Sequence, residues 1–307
     1  MNEDTLSLKG FGMLLRVVAV VSSSVAAILS TWLPLVFGYS FSLISLILLL
    51  ILLTTGAFLI HGLLTHIFND ITDFESGTDA HSPALLSGGS RVIQTGTLSA
   101  GTLKRTGWIL TAILLAAGSV LAVLGRYELT VLILVGIWGA FSYSGKPFML
   151  SYKPFAGEWL SLFPSLFILG LAAPWIMLDS IPLWGFQNAL VNALWCMAWV
   201  MVHHIPDIEA DKKALPEKRT SVVFFASKFG ISATRIPAVL YLVTAAAVVL
   251  WILFTRPAAG VVTMGIIIYS IYLILRVDVE DVTEVTAVEK KLLLSAMITA
   301  LWLGIFA

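Results

Sequence analysis

Nine apolar stretches, most of them long enough to cross a bilayer, commit this chain to an all-α membrane fold. They lie near residues 11–37, 41–68, 107–125, 129–143, 155–178, 186–205, 236–255, 257–276 and 289–307. A hydrocarbon core takes roughly 20 apolar residues as a helix, and backbone amides in lipid must be satisfied within the segment, which a helix achieves. The chain is 59% hydrophobic and 12% charged with a mean hydropathy of +0.97, against about 25% charged in soluble domains. The fourth stretch, hemmed between Glu128 and Lys146-Pro147, is short for a span, so the count is about nine, with eight as the alternative. The first runs from behind Arg16 to about Phe37 and reads as a transmembrane helix rather than a cleavable signal. One transmembrane domain over residues 1–307 accounts for the pattern.

Charge gives the expected orientation. Alternating the spans puts all but two of the 18 Lys and Arg on one face, Arg126 and Arg256 being the exceptions. The positive-inside rule makes that face cytoplasmic and the C-terminus external. Zero formal net charge gives no footprint for nucleic acid, and the single cysteine, Cys196, excludes an internal disulfide and reads as packing.

Two polar stretches, Asn69 to Thr106 and Asp207 to Arg235, interrupt the apolar pattern and hold its chemistry. The first opens with Asn69-Asp70-Ile71-Thr72-Asp73, followed by Glu75 and Asp79; the second opens with Asp207-Ile208-Glu209-Ala210-Asp211. Spacings of three and four put each aspartate pair on one helix face. Four spans separate the motifs, and an even number returns the chain to the same side of the membrane, so both can serve one basin. Solvated helix ends would explain single acids but not the repeated spacing. Magnesium takes oxygen ligands, usually one or two carboxylates plus phosphate oxygens and water. Asp70, Asp73, Asp207 and Asp211 therefore suit two Mg2+ ions placed to neutralise a diphosphate leaving group.

At these residues the sequence resembles the UbiA superfamily of intramembrane prenyltransferases, whose pattern is N-D-x-x-D after the second helix and D-x-x-x-D after the sixth. The resemblance implies about nine helices around a central cavity with a cytoplasmic-side active site. It also implies metal binding by Asn69, Asp70, Asp73, Asp207 and Asp211, with prenyl diphosphate as donor. Finer motifs resemble the branch that prenylates 1,4-dihydroxy-2-naphthoate in menaquinone synthesis: Gly77 and Asp79 after the first motif, Gly89-Ser90-Arg91-Val92-Ile93-Gln94-Thr95-Gly96, Tyr152-Lys153 with Gly157-Glu158, and Lys218-Arg219-Thr220. The sequence departs from that branch at His203-His204, where it has an Asn pair, at Pro206, where it has Arg, and at Glu217, where it has Gly. The implied product is demethylmenaquinone. Other acceptors remain as alternatives: 4-hydroxybenzoate, a glycerol-phosphate ether lipid or a tetrapyrrole.

Arg91 can clamp diphosphate bidentately, and Lys146, Lys153, Lys212, Lys218 and Arg219 share its face as point charges for phosphate or as topology determinants. Tyr143 and Tyr152 can face a developing allylic cation or anchor at the interface. Glu158 can orient the acceptor or act as a base. Of the adjacent His203 and His204, only one is expected to face the cavity, with His204 taken as the acceptor contact. His61 and His66, five apart, are expected on different helix faces as satisfied interhelical side chains. Two rival classes are a CDP-alcohol phosphotransferase, whose D-G-x-x-A-R signature is absent, and a cation or proton transporter, whose acids would sit near the midplane rather than at span ends.

Overall fold

The structure is a computed structural model that describes residues 17–83 and 89–307. The expected beginning of the first span, residues 11–16, and the basic residues Lys9 and Arg16 lie outside them. Among the described residues nine long helices, here α1 to α9, carry the fold: Val17–Gly38, Leu43–Ser76, Ala100–Val123, Tyr127–Ser144, Glu158–Leu178, Leu183–His203, Ile231–Thr255, Pro257–Arg276 and Val282–Ile305. No strand occurs among the described residues. Eight of these helices, α1 to α8, are long and apolar enough to cross a membrane. α9 has the length, but Glu284, Glu289, Lys290 and Lys291 fall in its first half. The chain is thus a multi-pass membrane protein. The short fourth stretch extends by a few residues at its ends to make an 18-residue helix.

Local chemistry sets the helix ends. Ser42 and Ser99 each accept a hydrogen bond from a first-turn amide of α2 and α3, and Asp281 accepts two at the start of α9, satisfying amides that have no partner within the helix. Pro257 opens α8, where its missing N–H costs nothing. Gly77, with φ of +79°, ends α2 in the left-handed conformation.

The bundle is organised around α6. Of its apolar window 83% is buried, against 22% for α2 and α3, whose outer faces present residues such as Leu48, Ile51, Ile113 and Val120 to lipid. α6 packs on α5, α7, α9 and α1. A Cβ on Gly170 of α5 would stand 2.8 Å from the Cβ of Ala189, so glycine lets these two backbones approach. On the face opposite the motifs, the Asn188 amide donates to the carbonyls of Ser30 and Leu303 while Arg256 donates to Gln187 and Asn188. This network ties α1, α6, α9 and the α7–α8 turn together.

Candidate active site

The first motif is not on a loop. It forms the last turns of α2, which runs on past the apolar stretch to Ser76, while Asp207 precedes and Asp211 lies within the short helix Ile208–Lys213. Asp70, Asp73, Asp207 and Asp211 are all buried. The motifs meet at one cation of the chain's own: the buried Lys218 ammonium lies 2.9 Å from Asp73 Oδ1 and 3.8 Å from Asp211 Oδ1. Lys218 also sits 5.8 Å from the centre of the Tyr152 ring. Burial works against its charge, but Asp73 and Asp211 more than offset that and hold its pKa well above the ordinary lysine value.

Each aspartate has a different second partner. Asp73 Oδ2 accepts from Asn69 at 2.8 Å, and Asn69 Oδ1 accepts from Ser144 of α4 at 2.8 Å. Asp70 accepts from the Ser90 hydroxyl and Asp207 from the Ser82 hydroxyl, so the loop between α2 and α3 braces one aspartate of each motif. Among the described residues neither oxygen of Asp211 is in a hydrogen bond, although the side chain is fully buried. Burial pushes its pKa far above the carboxylate range, with Asp207 and Asp73 adding to the effect and Lys218 opposing it. Asp207 is raised by burial against the help of Ser82.

A polar chamber of about 480 Å3 opens beside these groups, lined by Asn69, Asp73, Asp79, Asp207, Lys218 and Tyr143 among others, with Asp70 and Asp211 just behind the lining. An apolar chamber of about 400 Å3, walled by leucines and isoleucines of α2 to α5, shares His61, Thr65, Tyr143, Leu162, Trp199 and Val200 with it. The joint cavity thus has a charged end and a greasy end. Asp79, on the helix Thr78–His81 beyond α2, faces the polar chamber and accepts from Gln94 at 2.6 Å. Burial, then Asp73 and Asp70, push its pKa up to about 7. Gly89 packs on it: a Cβ there would stand 2.9 Å from Asp79 Oδ1, and its φ of +67° disfavours any side chain.

The other candidates divide. Tyr143 donates to or accepts from His204 Nε2 at 3.1 Å, and buried His204 points Nδ1 toward Asp211 Oδ2 at 3.9 Å. Burial, Lys218 and His203 keep His204 well below the usual histidine pKa, hence neutral. Tyr152 donates to Ser76, and Glu158, buried at the start of α5, lies outside the chamber lining. Arg91 donates to the Ser82 carbonyl at 2.6 Å and is not part of the lining either. Lys146 pairs with Glu75 at 3.4 Å and Lys212 with Glu209 at 2.9 Å, both near the surface. Lys153 is exposed, and exposed Arg219 lies over Phe224.

Two expectations need correction. His203 and His204 both line the polar chamber, because α6 ends between them and His204 already belongs to the turn that wraps the cavity. His61 and His66 share a face, with ring centroids 5.6 Å apart. Residues Phe58–Thr65 form π-helical turns, whose i to i+5 bonding aligns positions five apart. Both are satisfied, His61 across helices as expected, by Ser24 of α1, and His66 by the Gly62 carbonyl of its own helix.

Among the described residues no three His, Cys, Asp or Glu side chains stand close enough to enclose a metal. The donor set nonetheless fits magnesium. That ion is commonly held by one or two carboxylates with substrate phosphate completing the shell, and the buried Asp211 carboxylate, whose oxygens make no hydrogen bond among the described residues, has capacity left for a ligand. The model of the UbiA prenyltransferase family matches residues 31–295. No curated protein and no solved structure matches the chain.

Proposed function

The chain belongs to the UbiA prenyltransferase family, and from that premise we propose that it moves an isoprenoid chain from a prenyl diphosphate to 1,4-dihydroxy-2-naphthoate. The observation that carries this reading is the joint cavity: two aspartate motifs converge on Lys218 in a polar chamber that continues into an apolar one. A prenyl diphosphate has the same division. Its tail in the apolar chamber avoids water at about 0.8 kcal/mol per carbon, or roughly 4 kcal/mol per five-carbon unit.

Asp73 and Asp211, with Asp70, Asp207 and the Asn69 amide oxygen, are the groups that would hold Mg2+, as two ions. When bound, magnesium neutralises the diphosphate and makes it a better leaving group. Lys218 is within reach of both motif carboxylates and donates to diphosphate oxygens as charge moves onto them. Tyr143, at the junction of the chambers, presents its ring to the allylic cation. The leucine and isoleucine walls exclude water, which would otherwise trap the cation as an alcohol. The excess of Lys and Arg on the motif-bearing face supports a cytoplasmic orientation.

Gly77, Asp79, the Arg91 segment and the Tyr152 to Glu158 segment support the naphthoate over other acceptors. The test is competition among 1,4-dihydroxy-2-naphthoate, 4-hydroxybenzoate and geranylgeranylglyceryl phosphate in one reaction, read by product mass. Dominance of prenylated naphthoate supports the reading. Dominance of the ether-lipid product overturns the acceptor and leaves the ionisation chemistry standing.

A further inference from the structure

The polar chamber has a second acid–base pair that the diphosphate chemistry does not use. His203 closes α6, and its Nδ1 lies 2.7 Å from Glu289 Oε1 on α9. Both residues line the chamber. Glu289 is 1% exposed, yet its other oxygen, Oε2, has no hydrogen-bond partner among the described residues. The Trp199 ring, one turn back on α6, lies 5.3 Å from the imidazole and flanks it. A buried carboxylate with an unmet oxygen is costly unless a ligand completes it.

The hydrogen-bond inventory fixes the direction. An ionised carboxylate only accepts, so Nδ1 carries the hydrogen, and in the neutral imidazole Nε2 is left with a lone pair. The same logic orients a histidine by a carboxylate in hydrolytic triads. The pair also falls where this sequence departs from the Asn pair of the naphthoate branch, at the wall of the chamber rather than among the motif aspartates.

We propose that His203, oriented by Glu289, is the acceptor-binding base: Nε2 takes the hydroxyl proton of a hydroxylated aromatic ring in the polar chamber. This rests on the prenyl-transfer reading above. The O–H bond breaks, its proton goes to Nε2, and its electron pair feeds the ring carbon that bonds to the allylic carbon. The allylic carbon–oxygen electrons leave with diphosphate. The ring carbon then loses its substituent proton to diphosphate, or its carboxyl group as carbon dioxide, and His203 returns the hydroxyl proton. Glu289 is a positioning residue in this scheme, acting through His203.

The experiment uses the full chain in lipid nanodiscs, with geranylgeranyl diphosphate as donor and 1,4-dihydroxy-2-naphthoate or its 1-O-methyl ether as acceptor. His203→Ala is expected to lower kcat/KM for the naphthoate about 100-fold, the lower range for general-base loss, while the KM for prenyl diphosphate and the acceptor-independent release of diphosphate stay within about twofold. Wild type is expected to reject the methyl ether by about the same factor, and His203→Ala to lose that discrimination. Glu289→Gln, isosteric and less disruptive to folding, is expected to fall about tenfold through the wrong tautomer. Equal losses for both substrates, or discrimination retained in both variants, would overturn the assignment of His203. A wild type that releases diphosphate but prenylates no aromatic acceptor would overturn the reading beneath it instead.

Discussion

Asp211→Asn is expected to make the metal-stripped protein more stable while nearly abolishing its turnover. The Asp211 carboxylate is fully buried with no hydrogen bond to either oxygen among the described residues; Lys218 stands at 3.8 Å and His204 Nδ1 at 3.9 Å. An unsatisfied buried polar group costs about 1–3 kcal/mol. An amide of the same shape stays neutral without taking up a proton, keeps its oxygen toward Lys218 and can donate its NH2 to the lone His204 Nδ1. We expect a gain of about 1–2 kcal/mol, which at about 2–4 °C per kcal/mol raises the midpoint by several degrees. Magnesium reverses the order: ligand at 100 times its Kd stabilises by about 2.7 kcal/mol, and wild type alone gets this in full. Turnover should fall by about 100-fold or more, as when a transition-state electrostatic contact is lost. Thermal melts in detergent, with EDTA and with MgCl2, run beside a diphosphate-release assay. A variant that melts below wild type in EDTA, or that gains as much as wild type from magnesium, would refute the reasoning.

Three further outcomes follow from the same geometry. Asp79 has its pKa raised to about 7 from 3.8, mainly by burial, so the folded state holds a proton that the unfolded state releases. Stability from this group is intact below about pH 4 and is lost as pH rises to about 7, on the order of 3–4 kcal/mol in metal-free protein; Asp79→Asn should flatten that pH dependence of the midpoint. Gly89→Ala forces a Cβ to 2.9 Å from Asp79 Oδ1 at a φ of +67° and should cost about 1–3 kcal/mol, read by chemical or thermal unfolding. Arg91→Ala frees the Ser82 carbonyl in a loop whose Ser82 and Ser90 hydroxyls donate to Asp207 and Asp70. The magnesium concentration for half-maximal rate should rise about tenfold, a loss typical of groups supporting a metal site; an unchanged value would confine Arg91 to loop packing.

The membrane architecture was legible because spans are a one-dimensional signal: length and apolarity alone mark them. So was the meeting of the two motifs, since span parity decides which segments share a face. What escaped was set by pairings across long stretches of chain or by departures from regular helix. Glu289 was unmarked because its partner, His203, is 86 positions away on another helix. Lys218 read as one basic residue among several, and only the fold puts it on an aspartate 145 positions distant. His61 and His66 misled because a spacing of five means different faces on an α-helix and one face on a π-helix. Lys146, Lys153, Lys212 and Arg219 fall in the connections at the motif-bearing end of the bundle, but a basic residue near the surface and one in the chamber look alike in sequence.

The most direct test of the account is product mass spectrometry on purified protein given a series of prenyl diphosphates and 1,4-dihydroxy-2-naphthoate, with metal stripped and then restored. The account expects no prenylated naphthoate after stripping, recovery with MgCl2, and none at any magnesium concentration from Asp73→Ala or Asp211→Ala that still fold. Prenylated product from stripped protein, or undiminished product from either variant, would contradict the claim that the two motifs form one diphosphate-ionising site.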